Sequence, residues 1–280
     1  MKPDEPVALI TGASQGIGAT TARVLAERGY HCALLAPDRE GLETTAAAVR
    51  QQGREALVCA GDLCDLEYAS ASVAACLQRF QRIDVLINNA AWRDVVTMRR
   101  ISLESWEKTL RVCLTAPAFL ARHCAEAMET AGGGVILNVS SIQSKFAAGI
   151  SPAYVAAKGG LDALTYELAT LYGPQGIRVL AVNPGAVDTA LSHDYVDANG
   201  DNLASSLRTE FEDMIPLRRY ATSLEIARCI AMLVSPDASY LTGTCIELDG
   251  GWFHQASPYR LKRQQFPDDF PQTRPATQMK

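Results

Sequence analysis

A short apolar run at residues 7–10 leads directly into a glycine-rich stretch at residues 11–18, Thr-Gly-Ala-Ser-Gln-Gly-Ile-Gly, and then into a segment of helical periodicity. A strand, a glycine turn and a helix in this order form the first crossover of a parallel α/β sheet, and the helix start offers free N–H groups to a phosphate. Gly12 allows the sharp turn, Gly16 lets the backbone approach a phosphate, and Gly18 lets the helix pack on the strand. The spacing is G-x-x-x-G-x-G and not G-x-G-x-x-G. The loop alone therefore predicts either a pyrophosphate site or a tight turn without a ligand.

Short apolar runs alternate with longer helical segments as far as residue 251. This alternation predicts one α/β domain whose parallel sheet is covered by helices on both faces. We expect strands at residues 7–10, 32–35, 56–59, 84–87, 134–139, 178–183 and 244–248. We expect helices at residues 16–28, 39–51, 66–80, 103–129, 152–172 and 223–234. No Pro-, Gly- or Ser-rich linker interrupts this region, so no internal domain boundary is expected.

Two segments depart from the alternation. Residues 188–217 are polar and lie between a strand and a helix, where we expect a lid over a substrate. Residues 252–280 carry four prolines interleaved with aromatic residues, which predicts an extended arm along a neighbouring subunit or a partly disordered tail. The predicted division is a catalytic domain at residues 1–251 and a C-terminal extension at 252–280.

The composition limits the classes of partner. The 280 residues include 26 Lys or Arg and 31 Asp or Glu, a net charge of −5, so the basic surplus that nucleic-acid binding needs is missing. No apolar stretch approaches the ~18–20 residues that cross a bilayer, and the first residues lack the apolar core of a signal peptide. Eight cysteines show no Cys-x-x-Cys spacing, so neither a metal site nor a disulfide scaffold is expected. We expect a cytoplasmic protein without a nucleic-acid or membrane partner.

A tyrosine and a lysine four residues apart, Tyr154 and Lys158, fall in one predicted helix. Side chains at this spacing share a helix face, so the ammonium can lie beside the phenol. A nearby positive charge favours the phenolate, which suits the pair to proton transfer near neutral pH. Ser141 follows a predicted strand, where its hydroxyl can bond a substrate oxygen beside the tyrosine. The alternative is that Ser140 and Ser141 only cap that strand.

These motifs together resemble the classical short-chain dehydrogenase/reductase family over roughly residues 6–251. The matching stretches are residues 11–18, 61–63 (Gly-Asp-Leu), 88–91 (Asn-Asn-Ala-Ala), 138–141 (Asn-Val-Ser-Ser), 154–158 (Tyr-Val-Ala-Ala-Lys), 184–189 (Pro-Gly-Ala-Val-Asp-Thr), 240–243 (Tyr-Leu-Thr-Gly) and 249–251 (Asp-Gly-Gly). The resemblance implies a Rossmann-like doubly wound fold with strand order 3-2-1-4-5-6-7, and a homotetramer or homodimer. It also implies NAD(P)-dependent hydride transfer between a secondary alcohol and a carbonyl.

The resemblance implies that Tyr154 exchanges the hydroxyl proton, that Lys158 assists it and holds the nicotinamide ribose, and that Ser141 polarises the substrate oxygen. One catalytic position departs from the family pattern. Cys113 stands where the family has an Asn that holds a proton-relaying water, and a thiol is a poor donor and acceptor beside a carboxamide. Either backbone groups hold the water and turnover survives, or the relay is damaged and the protein is a catalytically impaired dinucleotide-binding sensor or scaffold. A nucleophilic Cys113 is disfavoured, since no histidine is adjacent.

The same resemblance implies a set of cofactor contacts. Asp62 is expected at the adenine, Asn89 at the adenosine side, and Val187 and Thr189 at the nicotinamide amide. The complete set is Gly12, Ser14, Gln15, Gly16, Ile17, Gly18, Arg39, Asp62, Leu63, Asn89, Ala90, Tyr154, Lys158, Pro184, Gly185, Val187 and Thr189.

The choice between NAD and NADP depends on the end of the second predicted strand. An NAD enzyme usually has an acidic residue at the position of Ala36, and an NADP enzyme has a basic residue at that of Pro37 or Gln15; all three are missing here. Arg39 can reach a phosphate and Asp38 a ribose, or each can be a solvated residue at a helix start. NADP is slightly favoured because Ala36 leaves room for a 2′-phosphate.

Five residues are expected near the substrate: Trp92, Arg93, Gln143, His193 and Tyr195. This polar and partly cationic set predicts a small hydroxylated or anionic substrate such as a sugar, polyol, keto acid or 3-oxoacyl compound. The expected function is an NAD(P)-dependent oxidoreductase acting on a secondary alcohol or carbonyl. Besides the impaired sensor or scaffold, an enzyme that uses the same tyrosine for isomerisation or dehydration remains an alternative.

Overall fold

Seven parallel strands form one sheet at the centre of the protein. The computed structural model describes residues 5–193, 195, 199 and 201–271. Its strands are β1 (Val7–Thr11), β2 (His31–Ala36), β3 (Ala56–Ala60), β4 (Val85–Asn88), β5 (Gly134–Val139), β6 (Ile177–Pro184) and β7 (Thr244–Leu248). Their order is β3-β2-β1-β4-β5-β6-β7, so the predicted sheet and strand order are confirmed. The winding reverses between β3 and β4, which leaves a crevice outside the carboxyl ends of β1 and β4.

Helices cover the sheet on both faces. Within the described residues they are α1 (Gly16–Glu27), α2 (Arg39–Gln51), α3 (Leu66–Phe80), α4 (Leu103–Leu110), α5 (Ala116–Ala131), α6 (Pro152–Tyr172), α7 (Ala204–Met214), α8 (Ser223–Leu233) and α9 (Tyr259–Gln265). Successive strand residues point to opposite faces: Ile10 packs in one core with Leu25 of α1 and Ile230 of α8, whereas Leu9 packs in the other with Leu120 of α5. The central strands are buried at every position because both faces are covered.

The single helix predicted at residues 103–129 is wrong at its centre. A π-helical turn, Arg111–Thr115, separates α4 from α5, and the N–H of Ala116 donates to the carbonyl of Arg111 five residues earlier. A π-helical turn adds one residue to a helix and is common at functional sites. Cys113 lies within this turn, so the unexpected backbone geometry and the departure from the family sequence coincide.

Two further helices lie where none was predicted. Helix α7 is part of the segment predicted as a lid. After Gly251 the chain forms a 3-10 turn, Trp252–His254, and helix α9, whereas residues 272–280 of the predicted C-terminal extension lie outside the described residues. Within the described residues, no helix combines the length and the apolarity that a bilayer crossing requires.

Candidate active site

The glycine loop joins β1 to α1 and has no room for side chains at two positions. Gly12 adopts φ +63°, and a Cβ atom there would lie 2.8 Å from the amide nitrogen of Asn89. A Cβ atom on Gly18 would overlap the carbonyl oxygen of Gly12. Gln15 precedes α1 without capping it through a side-chain hydrogen bond. The loop backbone therefore packs tightly between the start of α1 and Asn89. The start of α1 has no side-chain cap, so its free N–H groups suit the binding of a pyrophosphate.

Thr11 and Asn89 fasten this loop to the end of β4. The buried hydroxyl of Thr11 accepts hydrogen bonds from the backbone N–H groups of Asn89 (2.9 Å) and Ala90 (3.0 Å). The amide nitrogen of Asn89 donates to the carbonyls of Thr11 (2.9 Å) and Gly12 (3.2 Å). Asn89 thus shapes the glycine loop through its amide nitrogen, a role that the sequence did not predict.

A cleft of about 700 Å³ opens beyond the carboxyl ends of β1 to β6. Of the residues predicted for the cofactor, those that line it are Gly12, Ser14, Gln15, Gly16, Ile17, Asp62, Leu63, Asn89, Ala90, Tyr154, Lys158, Pro184, Gly185, Val187 and Thr189. Gly18 and Arg39 are not among the lining residues: Gly18 is buried behind the loop, and Arg39 is exposed at the start of α2. The structure therefore brings most of the predicted set to one surface.

Tyr154 and Lys158 lie one turn apart on α6, which begins at Pro152, a residue that favours the first helical position. The Nζ atom of Lys158 is 5.5 Å from the centre of the Tyr154 ring and donates to the carbonyl of Val139 at 2.7 Å. Lys158 is only 1% exposed, so water screens its charge weakly. The buried ammonium and the phenol both line the cleft, an arrangement that suits proton transfer.

Ser141 and Gln143 line the same cleft as Tyr154. Ser141 precedes the 3-10 turn Ile142–Ser144, and its hydroxyl oxygen accepts a hydrogen bond from the N–H of Gln143 at 3.1 Å. A hydroxyl that accepts one bond still has a proton to donate. Ser141 can therefore donate to an oxygen in the cleft.

Cys113 is fully buried and forms hydrogen bonds with the backbone of Trp92. Its Sγ atom accepts from the N–H of Trp92 (3.4 Å) and lies 3.3 Å from the carbonyl oxygen of the same residue, to which it donates. Burial raises the pKa of the Cys113 thiol, and this outweighs the opposing effects of the Lys158 charge and the Trp92 N–H. The side chain packs against Tyr154 and Ala157. The thiol thus stays protonated and fixes the cleft wall at Trp92.

Arg93 connects the cleft to the segment after β6. Its Nη2 atom donates to the carbonyl of Leu191 at 2.8 Å, and its guanidinium carbon lies 5.1 Å from the centre of the Tyr195 ring. Arg93 and Tyr195 line the cleft, as does Trp92. The side chain of His193, the fifth residue predicted for the substrate, lies outside the described residues.

The sequence missed one cation and most of an apolar wall in this cleft. Lys108 of α4 lines it, with Nζ 4.5 Å from the centre of the Trp92 ring. The apolar and aromatic wall consists of Val112, Ile142, Phe146, Ala148, Ile150, Phe211, Tyr220 and Trp252. These residues come from five separate parts of the chain, so no local pattern could have revealed them. The predicted polar surroundings of the substrate are therefore incomplete, since the cleft pairs cationic groups with an aromatic surface.

Comparisons with known proteins agree with this geometry. A family model described as enoyl-(acyl carrier protein) reductase matches residues 12–253. The cis-4-hydroxycyclohexanecarboxylate dehydrogenase of Sinomonas cyclohexanicum is 35% identical over 249 residues, which are 89% of this chain and 96% of that protein. The chain is a short-chain dehydrogenase/reductase. A second relative of this short-chain dehydrogenase/reductase, the D-threitol dehydrogenase of Mycolicibacterium smegmatis, is 32% identical over 89% of this chain and 93% of that protein.

Solved structures extend the comparison to the fold. The crystal structure of L-sorbose reductase from Gluconobacter frateurii, complexed with NADPH and L-sorbose, has a TM-score of 0.83 at 29% identity and covers 89% of this chain and 96% of that chain. This short-chain dehydrogenase/reductase is therefore an oxidoreductase of a family that binds NAD(P). Its own residues fit such a dinucleotide. The positions of Gly12 and Gly18 have no room for a side chain, so the loop backbone stays compact, and the uncapped start of α1 adjoins the cleft.

Proposed function

We propose that this short-chain dehydrogenase/reductase interconverts a secondary alcohol and a ketone on a small substrate, with Tyr154 as the proton donor and acceptor. The observation that carries the proposal is the common cleft: Tyr154, Lys158 and Ser141 line the same surface as the glycine loop. A phenol, an ammonium and a hydroxyl beside a pyrophosphate cradle match the needs of alcohol oxidation and ketone reduction.

Each group has a distinct task in this proposal. Ser141 donates a hydrogen bond to the substrate oxygen, and Tyr154 exchanges a proton with the same oxygen. Lys158 stabilises the phenolate through its buried positive charge, 5.5 Å from the ring centre. When bound, the nicotinamide supplies or accepts the hydride. The aromatic wall excludes water from the reacting carbon, which strengthens these electrostatic interactions.

For the substrate, we propose a ring or short chain that also carries an anionic or strongly polar group. The aromatic wall around Phe211 and Trp252 suits the carbon skeleton, whereas Arg93 and Lys108 suit a carboxylate or hydroxyl groups. Names of relatives support both halves, since one is a 4-hydroxycyclohexanecarboxylate dehydrogenase and another a D-threitol dehydrogenase.

For the cofactor, we propose NAD rather than the slightly favoured NADP. Ala36, Pro37 and Asp38, which follow or end β2, line the cleft, whereas Arg39 does not. The Asp38 carboxylate caps α2 by accepting from the N–H of Gly41 at 3.1 Å, and a carboxylate held after the second strand would favour ribose hydroxyls over a 2′-phosphate. Parallel thermal-shift titrations with NAD and NADP test this choice. Asp38→Asn, which retains a capping oxygen, should tighten NADP binding by about tenfold, equivalent to about 1.4 kcal/mol.

A panel assay of reduced-nicotinamide absorbance tests the proposed reaction. Matched pairs of cyclic alcohols with and without a carboxylate, and short polyols, are each offered with NAD and with NADP. We expect turnover of at least one secondary alcohol, and a lower KM for its carboxylate-bearing member. Tight dinucleotide binding without turnover of any alcohol or ketone would contradict the proposal. In that case a gain of activity in Cys113→Asn would favour the impaired relay, and a product formed without net cofactor redox change would favour isomerisation or dehydration.

A further inference from the structure

The C-terminal segment, residues 252–271, folds against helix α7 through one nearly buried carboxylate. The Oδ1 atom of Asp213, at the end of α7, accepts hydrogen bonds from the backbone N–H of Arg260 at 3.2 Å and from the Arg218 guanidinium at 2.7 Å. The side-chain amide of Gln255 donates to the Asp213 carbonyl at 3.3 Å. Arg218 also stacks on the ring of Tyr259, 4.6 Å from its centre. Asp213 is 8% exposed, so water offers little replacement for these partners.

The same two elements meet again at the cleft. The Phe211 ring of α7 lies 5.0 Å from the Trp252 ring at the start of the C-terminal segment, and both rings line the cleft. Trp252 is itself held by Asp249, whose carboxylate oxygens accept from the N–H groups of Gly251 (2.8 Å) and Phe253 (2.6 Å). The C-terminal segment therefore fastens the part of the aromatic wall that α7 supplies. Most of this segment follows residue 253, where the match to the family model ends.

We propose that the C-terminal segment completes the substrate side of the cleft, and that Asp213 is the positioning residue that holds α7 against it. This inference rests on the proposed function for its kinetic part only. Asp213 is not among the residues that line the cleft. It therefore acts on the cleft through Phe211 and Trp252. Removing the Asp213 carboxylate should therefore weaken substrate binding and leave proton transfer at Tyr154 and dinucleotide binding unchanged.

The kinetic test uses the full-length chain with Asp213→Ala and Asp213→Asn. Asparagine keeps an oxygen for the Arg260 N–H but loses the charge opposite Arg218, so its effect should be the smaller one. We expect KM for the substrate to rise by about tenfold in Asp213→Ala, with kcat and the dinucleotide dissociation constant changed less than about threefold. Glu210→Gln is the matched control, because Glu210 also lies on α7 and pairs with Arg260 at 3.0 Å but is exposed; its KM should not change.

A second measurement needs no turnover. The chain has three tryptophans, so replacing Trp92 and Trp106 by phenylalanine leaves Trp252 as the reporter. In this double-phenylalanine background, acrylamide should quench Trp252 fluorescence more strongly when Asp213→Ala is added than when it is absent. Adding the control Glu210→Gln should leave the quenching of the background unchanged. Equal KM and equal quenching in all variants would overturn the inference. If the parent turns over no alcohol or ketone, the proposed function fails while the quenching result still decides on the docking of the C-terminal segment. If Asp213→Ala does not fold, Asp213→Asn supplies both readouts.

Discussion

The ammonium of Lys158 lies 5.5 Å from the centre of the Tyr154 ring, one turn away on the same helix. The end of β5 holds it there, because the carbonyl oxygen of Val139 accepts a hydrogen bond from the Lys158 Nζ atom at 2.7 Å. The backbone of the sheet thus fixes the position of the charge, and α6 fixes the position of the phenol. In the proposed mechanism, proton transfer at Tyr154 depends on both elements.

Removing the phenol oxygen should slow the reaction strongly and spare cofactor binding. Tyr154→Phe keeps the ring that packs against Cys113, so we expect kcat/KM to fall by about 10²–10⁴-fold, the usual contribution of a general acid–base group. Thermal stabilisation by the dinucleotide should stay unchanged. Tyr166→Phe is the matched control, since Tyr166 lies on the same helix with its side chain exposed. A Tyr154→Phe enzyme within tenfold of the parent would remove the tyrosine from the mechanism.

The Cys113 thiol should be inert in the native protein. It is fully buried, and its raised pKa keeps the thiolate scarce at neutral pH. Iodoacetamide at pH 8 should therefore label Cys113 only after unfolding in denaturant, as peptide mass mapping can establish. Cys113→Ala should lower the free energy of unfolding by about 1–3 kcal/mol, because the N–H and carbonyl of Trp92 lose their partner. Cys113→Ser supplies a replacement hydroxyl and should lose less.

The strand order and the placement of Tyr154 and Lys158 on one helix could be predicted because each has a local signal. Buried parallel strands are short continuous apolar runs, and Tyr154 and Lys158 show their spacing within one helix. The π-helical turn around Cys113 had no such signal. Apolar residues continue through 103–129 with helical periodicity, and an added residue in a helix leaves that pattern nearly intact.

The aromatic wall was missed for a different reason. Phe146, Phe211, Tyr220 and Trp252 belong to distant segments and meet only because the loops after β5, β6 and β7 converge at one edge of the sheet. Their contact is a product of the tertiary fold. Arg93 was predicted at the substrate, yet its bond to Leu191 also ties it to the neighbouring segment, which a sequence pattern does not encode.

Adding one methyl group to the glycine loop should abolish cofactor binding. A Cβ atom on Gly18 would overlap the carbonyl oxygen of Gly12 and would lie 2.6 Å from the amide nitrogen of Asn89. The Gly12 oxygen belongs to the backbone and cannot move freely. Gly18→Ala should therefore lose thermal stabilisation by NAD and NADP and destabilise the fold by about 1–3 kcal/mol. The control is Gly173→Ala, where no atom lies within 4 Å of the added carbon. That variant should bind normally and gain about 0.4–1 kcal/mol of stability. Normal dinucleotide binding by Gly18→Ala would contradict the close packing assigned to the loop.

Stability should depend on pH through Glu225, at the start of α8. Its carboxylate accepts hydrogen bonds from Arg219 (2.7 and 2.9 Å) and from the N–H of Thr222 (2.8 Å), and these bonds lower the pKa of Glu225 from 4.5 to about 2. A carboxyl group with a lowered pKa in the folded state stabilises the fold above pH 4.5, and this contribution is lost as the pH falls from there to about 2. The side chain is 43% exposed, so solvent screening limits the effect to about 0.5–1 kcal/mol.

Glu225→Gln isolates this charge, because glutamine can still accept from Thr222. Urea unfolding should show the parent to be more stable than Glu225→Gln by about 0.5–1 kcal/mol at pH 7, with the difference shrinking steadily between pH 5 and pH 2. Glu43→Gln is the control: Glu43 pairs with Arg50 at a longer 3.6 Å, and both side chains are about half exposed. Its difference from the parent should be small at every pH. A Glu225→Gln difference that stays constant from pH 7 to pH 2 would mean that the carboxylate charge contributes nothing and that only the shape of the cap matters.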